Sequence, residues 1–283
     1  MVSLDYTELI FGGSTITNIA MNDAMTMLQQ TSRTFFIPIS RLEQGLKEAV
    51  GAAYLCMRAI DEIEDHEQIP DHLKTELLYG VHDTIKASPS VSDGIKNLLA
   101  PHKDILPAVS LRLPEWMQLC PSSIMETVNH YTAKMSKLMA DWVGKKWTIR
   151  TEEDLDGYTY SVAGLVGEML SDLWMWYDKT DSDREKAVAF GRGLQAVNIL
   201  RNRKEDLERG VDFFPDGWGM KEMLAYTRRN LKLADEYTKE LKKGPAKDFC
   251  KIPLALAHAT VKIISIGGNK LTRDMVLKIV NKM

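Results

Sequence analysis

Apolar positions along this chain recur at the 3.6-residue period of an amphipathic helix almost throughout. Between Arg41 and Asp65 they fall at Leu42, Leu46, Val50, Ala53, Met57 and Ile60, which line one face of a helix. The same period predicts further helices over about 15–30, 71–87, 92–100, 122–148, 152–178, 183–209, 219–243 and 251–280. No run of alternating β-branched residues ends in a hairpin turn, so strands are not expected. Proline, which lacks the amide N–H a helix interior needs, punctuates the middle of the chain at Pro70, Pro89, Pro101, Pro107, Pro114 and Pro121. Pro215 and Pro245 separate the last helices, and the stretch from Pro101 to Pro121 reads as a loop or a short helix between bundle layers. With no repeat, low-complexity linker or shift in composition, the expectation is one all-α domain over 1–283.

Composition narrows the function classes. A chain of 283 residues with a net charge of −3 and no basic tail or stripe does not suit a nucleic-acid surface, so no nucleic-acid partner is expected. Three cysteines (Cys56, Cys120 and Cys250) lie far apart, in neither disulfide nor zinc spacing, which favours a reducing cytoplasmic setting. The first residues, MVSLDYTELIFGG, contain no basic segment leading into an apolar one, so no leader is expected. No uninterrupted apolar stretch reaches the roughly 18 residues of a membrane span.

Two segments carry candidate chemistry. In YLCMRAIDEIEDHE (54–67), Tyr54, Arg58, Asp61 and Asp65 stand at i, i+4, i+7 and i+11, one above the other on a helix that is otherwise rich in Leu55, Ile60 and Ile63. In GLQAVNILRNRKEDLERG (193–210), Gln195, Asn198, Asn202 and Asp206 repeat that spacing, flanked by Arg201 and Glu205. Either stripe alone is an ordinary solvated helix face. Two matched stripes, each with an arginine and each set in an apolar helix, point to a site, because buried polar groups need partners. Facing carboxylates can hold several Mg²⁺ ions, which take oxygen ligands and are shared with substrate phosphates. Metal with arginine can neutralise a departing diphosphate, and an apolar, aromatic interior can shelter the carbocation left behind.

These residues resemble the squalene/phytoene synthase family. QTSRTFFIPI (30–39) is similar to its Ser-Arg motif and YLCMRAIDEIED (54–65) to its first aspartate-rich motif. YTYSVAGLVGEML (158–170) is similar to its small-residue segment, and LQAVNILRNRKEDLERGVDFFP (194–215) to its second aspartate-rich motif. The resemblance runs from about Thr31 to Pro215, with the four motifs in family order; beyond that only helicity and length agree. It implies an isoprenoid-synthase helical bundle around a central apolar cavity. Asp61, Asp65, Asn202 and Asp206 would ligate Mg²⁺, with Glu62 nearby. Ser32, Arg33 and Arg58 would contact a diphosphate, Tyr54 and Tyr160 would sit near the reacting carbons or leaving group, and Gln195, Asn198, Arg201 and Phe35 would face the substrate. Ala163, Gly164 and Gly167 would allow close helix packing.

The resemblance implies a Mg²⁺-dependent enzyme that joins two farnesyl-type diphosphates head to head, giving squalene with NADPH or dehydrosqualene without it. Two departures leave alternatives open. Asn202 stands where the family has aspartate, and Ser161 where squalene synthases often have tyrosine. With one charged ligand fewer, a single ionisation could end in hydrolysis to farnesol or in prenyl transfer to a non-prenyl acceptor. A non-catalytic relative acting in assembly or binding is the third reading. An oily product makes peripheral membrane contact reasonable.

Other residues read as structural. None of the six histidines completes the Glu-x-x-His of a di-iron bundle, and His66 is expected to be a solvated helix-end residue. There is no nucleophile elbow and no glycine-rich phosphate or dinucleotide loop, so NADPH would have to bind at the mouth of the same cavity. Trp174, Trp176 and Tyr177 are expected in core packing, as are Met21, Met25, Met27 and Met57. Lys145, Lys146, Lys242 and Lys243 are expected on solvated faces.

Overall fold

The computed structural model describes residues 20–87 and 91–283, which form helices and no strand. The N-terminal leader expectation, the start of the first predicted helix at 15, Pro89 and the side chain of Arg33 lie outside the described residues. In order, the helices are α1 (20–31), α2 (Arg33–Ser40), α3 (Leu46–Glu64), α4 (Asp71–Ala87), α5 (Val91–Leu99), α6 (Ala108–Leu111), α7 (Leu113–Leu119) and α8 (Ser122–Gly144). They continue as α9 (Glu152–Thr159), a π-helical turn at Tyr160–Gly164, α10 (Leu165–Asp178), α11 (Arg184–Glu208), α12 (Met220–Glu240), α13 (Pro245–Ser265) and α14 (Arg273–Val280). The described residues thus form the all-α bundle that the motifs implied.

Local chemistry sets the helix starts. The Ser32 hydroxyl accepts the Phe35 amide at 3.1 Å and opens α2. Thr151 and Asp154 cap α9 reciprocally, and the Asp183 carboxylate accepts the Lys186 amide at 3.1 Å to open α11. Three ends differ from the periodic expectation where the backbone turns left-handed. The helix expected over 41–65 begins only after Gly45, at φ 87°. The one expected over 122–148 stops at Gly144, because Lys146 and Trp147 sit at φ 52° and 48°. The one expected over 251–280 divides at Gly267, φ 86°, into α13 and α14. The Pro101–Pro121 stretch forms a 3₁₀ turn at Ala100–His102 and two short helices, α6 and α7.

α3 and α11 both run through the bundle, each packed against several other helices. α3 packs against α7, α8 and α6, while α4 lies on α8 and α11 is held between α10 and α12. Leu55, Ile60 and Ile63 are fully buried, each contributing about 1.5–3 kcal/mol. One continuous apolar core extends from Ala24 to Val261, with a second cluster around Trp142, Tyr158, Phe213 and Tyr226. Trp174 is buried and Trp176 and Tyr177 pack on the core, as expected of them. Among the described residues no helix is long and apolar enough to cross a membrane.

Candidate active site

A cavity of about 230 Å³ opens between α2, α3, α8, the π turn, α10, α11 and α13. Its walls include Val50, Met57, Met135, Leu170, Phe190 and Phe249. At its polar end stand Tyr54, Arg58 and Asp61 from α3, with Gln195 and Asn198 from α11. One turn further along both helices a second, polar cleft of about 930 Å³ holds Asp65 with Glu64 on one side and Asn202 with Asp206 on the other. The helical spacing of each stripe therefore carries it from an apolar cavity into a charged cleft.

The carboxylates of α3 crowd together. Asp61, Glu64 and Asp65 can each bring an oxygen within 4.8 Å of the other two. Burial, and then the charge of Asp65, push the Asp61 carboxyl up to about 7, while Arg58 pulls the other way. Burial and Asp65 also raise the Glu64 carboxyl well above the usual range. Arg58 pairs with both Asp61 and Glu62, and its Nε, shielded from solvent, finds no partner among the described residues.

Glu64 was missing from the residues singled out in the sequence, where it lies off the Asp61–Asp65 stripe. It is only 2% exposed, and the Trp147 indole N–H donates to its carboxylate. Lys74 donates to the Glu64 carbonyl at 2.6 Å and lies 5.2 Å above the Trp147 ring, its ammonium pKa lowered by burial. The left-handed pair Lys146–Trp147 delivers that indole, a placement no helical period could signal.

The α11 side has a different electrostatic character. The Arg201 Nε donates to the Asn202 carbonyl oxygen at 3.1 Å. Arg209, also outside the sequence-derived set, donates to Asp206 at 2.6 Å and reaches Asp65 at 3.5 Å. Asp206 is buried, which raises its carboxyl pKa against the opposing pull of Arg209. Glu205 pairs with Lys270 at 3.1 Å. The Asn198 amide donates to Gln195 at 3.2 Å along the cavity wall.

The remaining predicted residues divide. The Phe35 ring lies 5.6 Å from Tyr54 and 6.3 Å from Phe249, lining the cavity. Burial raises the Tyr54 phenol pKa despite a hydrogen bond with Ser32. Tyr160 is held away from the cavity lining: its hydroxyl accepts from Lys134 at 2.5 Å and donates to Glu168 at 3.1 Å. Ser161 sits buried beside it and accepts the Trp142 indole N–H at 3.1 Å. His66 accepts the Gln68 amide at 3.2 Å just beyond the end of α3. The four lysines of the two Lys-Lys pairs are exposed; Lys242 caps α10 by donating to the Asp178 carbonyl at 2.7 Å.

The donor set suits a hard divalent cation such as Mg²⁺. It is all oxygen, and the raised Asp61 and Glu64 pKa values express first their burial and then the charge of the neighbouring Asp65.

The squalene/phytoene synthase family model matches residues 28–218. Squalene synthase of Eremothecium gossypii is 29% identical over 273 residues, covering 84% of this chain and 60% of the relative. Squalene synthase of Candida albicans is 30% identical over 256 residues, covering 83% of this chain and 53% of the relative. Squalene synthase of Bos taurus is 28% identical, covering 83% and 61%. This chain thus spans little more than half the length of these relatives. A solved TcSQS complex with the ligand E5700 superposes with a TM-score of 0.73 at 21% identity, covering 93% of this chain and 85% of that one. A dehydrosqualene synthase in complex with a ligand superposes at 0.60 and 17% identity, covering 95% and 96%. These structures share the fold, and all four motifs lie within the family match. The chain belongs to the squalene/phytoene synthase family.

Proposed function

We propose that this chain is a Mg²⁺-dependent isoprenyl diphosphate transferase that ionises farnesyl diphosphate and joins two such units head to head, giving squalene or dehydrosqualene. The observation that carries this reading is the abrupt junction of an apolar, aromatic cavity with three carboxylates of α3. An apolar tail in the cavity would bring its diphosphate to the level of Arg58 and Asp61. Asp61, Glu64 and Asp65 would hold Mg²⁺, which neutralises the diphosphate as it leaves. The Arg58 guanidinium adds a fixed positive charge there. Tyr54, kept protonated by its burial, is an O–H donor to the leaving oxygens. Phe35, Phe190 and Phe249 turn aromatic surface towards the carbocation and keep water away. Gln195 and Asn198 present amide oxygens along the same wall.

A second reading is favoured by Asn202. Its amide carries no charge, and its oxygen accepts from Arg201 at 3.1 Å. A reaction limited to one ionisation would end in farnesol plus diphosphate, or in prenyl transfer to a different acceptor. Incubation with farnesyl diphosphate and Mg²⁺, with and without NADPH, followed by mass spectrometry of the organic products, separates the two. A thirty-carbon hydrocarbon supports condensation, and its NADPH dependence distinguishes squalene from dehydrosqualene. Farnesol or a prenylated acceptor as sole product supports the second reading, and the absence of any turnover would sink both.

A further inference from the structure

The acidic groups of α11 are served by the chain's own cations. Asp206 holds Arg209 at 2.6 Å, Glu205 holds Lys270 at 3.1 Å, and the Asn202 oxygen holds Arg201 at 3.1 Å. On α3, three acids, Asp61, Glu64 and Asp65, converge within 4.8 Å, with Arg58 paired to Asp61. The guanidinium of Arg209 also reaches Asp65 at 3.5 Å, so one side chain spans the two aspartate-bearing helices. A planar guanidinium satisfies two carboxylates through separate N–H groups and stays charged at any physiological pH.

We propose that Arg209 is the resident cation between α3 and α11, holding the position that a metal ion bridging Asp65 and Asp206 would need. The proposal rests on the reading of the α3 carboxylates as metal ligands. Metal then loads on the α3 side alone, and the α11 flank of a diphosphate meets arginine instead. Arg209 follows the acidic stretch of α11 by one residue, on the helix cap, where only the tertiary fold brings it across to Asp65. Asn202 and Arg209 act in the same direction: one removes a negative charge from the second motif, and the other neutralises the aspartate that is left.

The test counts metal ions rather than turnover. Purified protein is saturated with inorganic diphosphate and titrated with Mn²⁺, and bound ions are counted by electron paramagnetic resonance. Wild type is compared with Arg209→Gln and Arg209→Met, both long and uncharged, and with Arg209→Lys, which keeps the charge. Both uncharged variants should bind one more ion per chain than wild type, with the Mn²⁺ midpoint lowered on the order of tenfold because a positive charge a few ångströms from the site is gone. Arg209→Lys should keep the wild-type count. An unchanged count and midpoint in the uncharged variant that folds would overturn the proposal, as would an extra ion in Arg209→Lys. In either case Mn²⁺ bound by wild type and lost in Asp61→Ala leaves the α3 metal reading standing. Failure of wild type to bind Mn²⁺ at all would remove that reading and this proposal together.

Discussion

Asp61 stands at the boundary of the two cavities, with Arg58 on one flank and Asp65 on the other, and among the described residues no other carboxylate lines the apolar cavity. Its loss removes both a metal ligand and the partner that aims Arg58. Asp61→Ala should lower diphosphate release from farnesyl diphosphate by at least roughly 10²–10³-fold, measured as released diphosphate, whichever organic product forms. Near-wild-type release would reject the metal assignment. The same residue predicts a pH effect. Between the ordinary carboxylate value and about 7, folded metal-free protein keeps a proton on Asp61 that the unfolded chain has lost. Metal-free stability should therefore fall as pH rises through that window, with a melting temperature lower by on the order of 5 °C at about pH 8 than at about pH 5. Asp61→Asn should reduce that slope, and an unaltered slope would place the titration elsewhere. Glu64 depends on a neighbour far along the chain. Trp147→Phe keeps an aromatic ring and deletes the N–H donated to Glu64, so the Mg²⁺ concentration for half-maximal turnover should rise about 10- to 100-fold. A fold-neutral change in kcat with no movement of the Mg²⁺ requirement would argue that Trp147 does not position Glu64.

At the scale of elements, the small-residue segment is a packing device. A Cβ on Gly167 would lie 2.0 Å from the Ala187 carbonyl oxygen, and one on Gly191 would lie 2.1 Å from that of Ala163. These two glycines let α10 and the π turn press directly on the backbone of α11, which fixes how far the second stripe stands from the first. Gly167→Ala should destabilise the fold by about 1–3 kcal/mol or more, read from urea unfolding, because backbone rather than a flexible side chain must move. A change of a few tenths of a kcal/mol would mean that the two helices have slack. Helix identity was legible in the apolar period, which is a local property. Helix ends were not, since Gly45, the Lys146–Trp147 pair and Gly267 leave the helical region through φ values that the period does not register.

For the whole molecule, the consequential comparison is between the two sides of the cleft. α3 brings clustered acids, whereas α11 brings acids already matched to Arg209 and Lys270 and an amide in place of a third. This asymmetry bears on the product, since head-to-head condensation needs a second ionisation after the first. Asn202→Asp restores a charge on the poorer side and should raise the ratio of thirty-carbon hydrocarbon to free farnesol several-fold in the product mixture. A constant ratio would show that the second ionisation does not depend on that charge.

What the amino-acid order determined by itself was everything with a helical period. The alignment of Tyr54, Arg58, Asp61 and Asp65 on one face, and of Gln195, Asn198, Asn202 and Asp206 on another, follows from 3.6 residues per turn and requires no neighbour. The family motifs were legible for the same reason, being short and local. Tertiary structure alone decided which groups complete the site. Trp147 reaches Glu64 across 83 residues and Arg209 reaches Asp65 across 144, and Phe249 arrives on a helix with no motif of its own. It also turned the Tyr160 hydroxyl onto Lys134 and Glu168 rather than towards the cavity lining. Periodicity specifies the direction in which a side chain leaves its own helix. The charge or ring it meets there depends on the packing of other helices, and that packing is a property of the folded chain.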